Sequence, residues 1–157
     1  MAKKIDVEAA PKSDGTVYPA PYDAPCRKRR KIKLGDAAGL TQFGVNLCRL
    51  PPGAWSSQRH WHTDEDELIY VLEGEVTLVT DDGEEILQAG DAAGFKAGDE
   101  TGHCFQNRSE ADVVLLEVGT RMTEGKAYYP GLDLVAVTGQ GYTHRDGTPY
   151  PPEPRKT

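Results

Sequence analysis

A chain of 157 residues, 38% of them hydrophobic, fits one domain with room for a sizeable core. Seventeen glycines and eleven prolines favour many turns over long helices. A net charge of −7 argues against general nucleic-acid binding, and the longest apolar run, Leu68 to Leu72, is far too short to span a bilayer.

Residues 1 to about 25 are polar and rich in Pro, Ala and Tyr. Thr16 to Tyr22, with two prolines, is extended or irregular, an arm that is either loose or laid on a neighbouring surface. The opening Met-Ala-Lys-Lys-Ile-Asp lacks the apolar core of a secretion signal. Arg27, Lys28, Arg29, Arg30, Lys31 and Lys33 then bring six positive charges with no acid among them, which leaves −13 on the rest of a chain of net −7. Such a run is either a nucleic-acid patch or, the reading preferred here, a solvated edge strand or an arm pairing with acidic surface. Gly35 to Gly39 reads as a turn.

Thr41 to Leu50 is the first convincing strand. Phe43, Val45 and Leu47 share one face; Asn46, Cys48 and Leu50 share the other. Pro51-Pro52-Gly53 ends it. Ser56 to His62 is the next strand, followed by a charged turn at Thr63 to Asp66. Glu67 to Glu73 is apolar on both faces, which predicts a strand covered on both sides. Val76 to Thr80, an Asp82-Gly83 turn and Glu84 to Leu87 make a hairpin. Gly102 to Asn107 and Ala111 to Val118 are two more strands, and Leu132 to Val137 another. Short strands broken by glycine turns predict an antiparallel all-β sandwich or barrel. The tail from Tyr142 to Pro152 has loop chemistry, but its aromatic residues imply packing on the barrel or on a second subunit.

Within this pattern, His60 and His62 stand one residue apart, with Glu67 five positions further on. On an extended chain, residues i and i+2 project together, so both imidazoles share a face and Trp61 points away. Two imidazoles side by side are half of a metal site. The other reading, ordinary core or surface histidines, leaves buried rings that each need a partner.

The order Gly53, His60, His62, Glu67, Gly74, then Gly90, Gly98, His103, Asn107 resembles the two signature motifs of the cupin superfamily. The gaps of four residues from His62 to Glu67 and six from Glu67 to Gly74 fit the first motif; the six from Gly53 to His60 are one too many. In the second motif Lys96 stands where proline is usual, and four residues rather than two separate Gly98 from His103. The resemblance implies an antiparallel double-stranded β-helix, or jelly-roll barrel, over 41–120. An N-terminal arm (1–40) precedes it and a C-terminal extension (121–157) follows. It also implies one divalent metal bound by His60, His62, Glu67 and His103, with Asn107 capping a turn. Three imidazoles and a carboxylate suit Fe, Mn, Ni, Cu, Zn or Co without choosing among them.

The implied ligand is a small oxygenated molecule. A dioxygenase-like oxidoreductase would use Ile69, Val71 and Phe105 as an apolar pocket wall, with Gln58 hydrogen-bonding the ligand. The alternatives are a sugar or sugar-phosphate isomerase, with Arg59 and Lys96 as a phosphate clamp, and a non-catalytic metabolite sensor. Tyr70, Trp55 and Trp61 read as packing residues, and Cys48 and Cys104 as small buried ones. Three scattered cysteines predict a reduced, cytoplasmic protein. Arms at both ends predict a homodimer.

Overall fold

Along an extended chain side chains alternate between two faces, so strand register decides what meets what. The computed structural model describes residues 2–157. Its strands are β1 (Arg30–Lys33), β2 (Phe43–Leu50), β3 (Trp61–His62), β4 (Glu67–Glu73), β5 (Glu75–Thr80), β6 (Gly83–Gln88), β7 (Ala92–Phe95), β8 (His103–Gln106), β9 (Val113–Thr120), β10 (Lys126–Tyr128), β11 (Val135–Val137) and β12 (Gly141–Thr143). The expected turn at Gly35 to Gly39 is instead a short helix, α1 (Leu34–Ala38), closed by Gly39 at φ 72°. The left-handed conformation there suits glycine.

Antiparallel pairing joins these into sheets ordered β1-β2-β9-β4-β7, β6-β5-β8 and β12-β11-β10-β3. The fold is the expected all-β antiparallel jelly-roll barrel. The first two sheets enclose a core that includes Leu50, Ile69, Val71, Val76, Phe105 and Leu115. Gly74 turns β4 into β5 at φ 82°, where a Cβ would lie 2.7 Å from the Asp112 carbonyl.

Three readings are corrected. The stretch from Ser56 does not form one strand: β3 is only Trp61–His62, and His60 makes a single bridge to His103. The reason is divided backbone pairing, since Ser56 N–H donates to Phe105 O at 2.8 Å while Trp55 N–H donates to Pro25 O at 2.9 Å. β4 is covered on one side only; Leu68, Tyr70 and Leu72 are 38–46% exposed. The basic run does form an edge strand, but it is not simply solvated. Alternation turns Lys31 inward beside Cys48, where it pairs with Glu117.

Both arms lie on their own barrel. Ser13 N–H donates to Lys31 O and Lys33 N–H to Pro11 O, which covers the open edge of β1. Thr16 and Lys156 bridge the two ends of the chain. Tyr18, Cys26, Ala127, Tyr129 and Leu134 bury one another in a second core built by these ends. Among the described residues no helix is long and apolar enough to cross a membrane.

Asn107 holds the turn between β8 and β9. Its amide donates to Leu50 O and Ala111 O, both at 2.7 Å, and its carbonyl accepts from the Ser109 hydroxyl and backbone. Asn107→Ala orphans these buried groups, so it should cost about 2–3 kcal/mol, read as a lowered urea midpoint at unchanged slope.

Candidate metal centre

Backbone pairing brings the motif residues together. His60 and His103 exchange backbone hydrogen bonds of 3.1 and 2.9 Å, which sets their rings 4.7 Å apart. β3 presents His62 and β4 presents Glu67 on its inward face. The donor atoms of His60, His62 and Glu67 all lie within 4.8 Å of one another. His103 joins them through Nε2, 2.9 Å from Glu67 Oε2.

The outer nitrogens fix which atoms face the centre. His60 Nδ1–H donates to Gln58 O at 2.8 Å, so its Nε2 carries a lone pair. His62 Nδ1 lies 3.4 Å from the Glu65 carboxylate, so a proton on that nitrogen would leave Nε2 free to bind a cation. The two Nε2 atoms stand 3.1 Å apart. At that distance the pair can share a proton or both bind one cation. His103 Nδ1 is buried and has no hydrogen-bond partner. The donor set, with its spacing and its carboxylate-backed imidazole, fits a divalent ion.

Protonation agrees. Burial, the dominant influence, drops His60 from 6.5 to about 3, against the pull of Glu67. Burial works to raise Glu67, but the hydrogen bond from His103 and the surrounding imidazoles prevail and hold it at about 2. Near neutral pH both side chains are in the form a metal would need.

The other sequence-predicted residues lie elsewhere. Gln58 spends its side-chain amide on Tyr22 O at 2.7 Å, so it anchors the N-terminal arm rather than reaching a ligand. Ile69, Val71 and Phe105 are at most 2% exposed within the barrel core, and none of the described cavities is lined by them. Arg59 pairs with Asp81 on the surface. Lys96 lies at a cavity of about 240 Å³ shared with His62 and His103.

Sequence reasoning missed the wall of a cavity of about 450 Å³ beside the centre. It is lined by His62 and Glu67 together with Lys31, Asn46, Glu117 and Arg121. One signal was present: Glu117 interrupts the apolar inward face of a Val/Leu-rich strand. Phe95 was missed too, and stacks on His103 with ring centroids 3.5 Å apart.

The family model for the cupin domain matches residues 46–119. A crystal structure from Silicibacter pomeroyi, described as a sugar phosphate isomerase from a cupin superfamily, is 44% identical to this chain. It superposes at a TM-score of 0.89 over 95% of this chain and 97% of that one. A candidate sugar phosphate isomerase from Acidithiobacillus ferrooxidans is 28% identical, with a TM-score of 0.71 over 80% and 82% of the two chains. A polyketide cyclase from Streptomyces resistomycificus, 21% identical with a TM-score of 0.59 over 76% and 80%, shares the fold alone. No curated protein matches.

A histidine kept neutral by burial lets the unfolded state bind a proton that the folded state refuses. Stability of the metal-free protein should therefore fall as pH drops below 6.5 toward about 3, with Glu67 adding to the loss between 4.5 and about 2. Thermal melts of chelated protein from pH 7 to 4 check this; His60→Gln should flatten the curve between 6.5 and 4.5.

Proposed function

The chain belongs to the cupin superfamily, and from that premise we propose that it is a metal-dependent isomerase of a small sugar or sugar phosphate. The observation that carries this reading is the polar wall, with Lys31, Asn46, Glu117 and Arg121 lining the cavity onto which His62 and Glu67 open. At about 450 Å³ it suits a small ligand. The full-length likeness to a protein described as a sugar phosphate isomerase supports it. The dioxygenase reading needed an apolar wall, and the residues assigned to it are closed in the core.

His60, His62, Glu67 and His103 would hold one divalent ion. When bound, that ion supplies a Lewis acid for a carbonyl and its neighbouring hydroxyl. The protein's own groups orient the substrate: Asn46 offers an amide to hydroxyls, and Trp61, stacked on Tyr128 at 5.0 Å, walls the far side of His62. Arg121 is tied to Asp36 and Leu40 O, whereas Lys96 is exposed at the cavity shared with His62 and His103 and is free for a phosphate group.

The homodimer stays part of the proposal, with its surface moved from the arms to the outer sheet. Register aligns Ile32, Leu47, Leu116 and Tyr70 in one outward row and Val45, Val118 and Leu68 in the next. A contiguous apolar face of this kind fits a second copy packed by two-fold symmetry.

Protein purified from its own host should carry close to one Fe, Mn, Ni, Cu, Zn or Co per chain by elemental analysis, and His60→Ala should lose it. The loaded protein should interconvert aldose and ketose in a panel of free and phosphorylated C3–C6 sugars. Metal with tight sugar binding but no conversion would instead make it a sensor. Sedimentation should give a dimer that Leu68→Glu converts to monomer without loss of metal.

A further inference from the structure

The inward row that carries Glu67 contains two glycines. Gly44, Gly119, Glu67 and Phe95 are register partners across β2, β9, β4 and β7. Neither glycine has a positive φ, so the backbone does not require them. Glycine weakens a strand interior because it packs nothing. These two supply space. A Cβ on Gly119 would come no nearer than 3.5 Å to another group, the Asp66 carbonyl, and one on Gly44 no nearer than 3.6 Å, to Arg121 Nε. Both glycines line the cavity beside His62 and Glu67.

The adjoining inward row holds Asn46, Glu117 and Ile69. Lys31 Nζ stands 2.7 Å from Glu117 Oε2, and the Glu117 side chain is 10% exposed. Burial pulls Lys31 down, but Glu117 prevails and raises its ammonium above the ordinary value. A buried ion pair is a weak means of stabilising a fold, since apolar side chains of similar volume often do as well or better. This one lines the same cavity as the metal ligands. Glu117 is a diagonal neighbour of Glu67 on the adjacent strand, a spacing of about 7–8 Å in such sheets.

We propose that Glu117, oriented by Lys31, is the base that moves the proton during isomerisation, with the Gly44–Gly119 gap seating the reacting carbons. The assignment rests on the isomerase reading. Glu117 takes the proton from the carbon beside the carbonyl. The C–H electron pair becomes a C=C bond, and the carbonyl π pair moves onto oxygen to give an enediolate. A proton passes from the adjacent hydroxyl to that oxygen. The electron pair freed on the hydroxyl oxygen forms the new carbonyl, while the C=C pair takes the proton back from Glu117 at the former carbonyl carbon. The exchange is redox-neutral, and Glu117 ends as it began. Lys31 stays cationic throughout and keeps the carboxylate aimed at the gap.

The test uses the full-length, metal-loaded protein and the sugar panel. Glu117→Gln should keep its metal and lose about 100-fold or more in kcat, with KM little changed; Glu117→Asp should recover part of the loss. Because removing one partner strains a buried pair, Lys31→Met with Glu117→Gln provides a neutral pair that should fold, hold metal and remain inactive. Activity of Glu117→Gln within threefold of wild type overturns the assignment and leaves the isomerase reading standing. Loss of metal from both variants overturns it as well, since the pair is then a prop of the metal centre. A loaded wild type that converts no sugar overturns both readings.

Discussion

Two imidazole nitrogens, Nε2 of His60 and Nε2 of His62, stand 3.1 Å apart and form the pair on which the rest of the site depends. A shared proton or a bound cation satisfies it. The backbone holds it in place: the His60–His103 bridge sets one ring, and the Gln58 carbonyl fixes which nitrogen of His60 carries the proton. Convergent buried polar side chains of this kind mark where structure has been given over to chemistry. Among the described residues, the buried side-chain atom left without a partner belongs to the same cluster.

The terminal segments serve that arrangement indirectly. Gln58 donates to Tyr22 O, and its backbone N–H is met by the Tyr18 hydroxyl. Arg29 grips Gly15 O and Ser56 O. Tyr129 lies 5.7 Å from the His60 ring. The loop that carries His60 is thus clamped from outside by both ends of the chain, while Phe95 backs His103 from within. The barrel supplies the inner residues of the cluster, and the second core steadies the loop.

Much of this was legible in the sequence, for definite reasons. Spacing of two on an extended segment is enough to put His60 and His62 side by side, and glycine turns with alternating strands imply a sandwich or barrel, between which the motif resemblance chose the barrel. Other features depended on pairing that one strand cannot reveal. Gln58 shares parity with the histidines, but parity says nothing of the arm that captures its amide. Ile69 and Val71 share the face of Glu67, yet the barrel closes over them one row deeper. Lys31 sat in a basic run that reads as solvated by composition alone; register with Cys48 turned it inward. Glu117 was the recoverable miss, a lone carboxylate on an otherwise apolar strand face.

The bridge between Thr16 and Lys156 spans 140 positions of sequence. Closing so long a loop costs entropy that only the finished contact repays, and distant pairings of this kind form slowly. During synthesis the barrel strands through Thr120 emerge well before the residues that complete the second core. The order of events is therefore built into the topology: a jelly roll can close while the His60 loop is still unclamped, and the rigid geometry of the centre arrives last, when the chain's two ends meet.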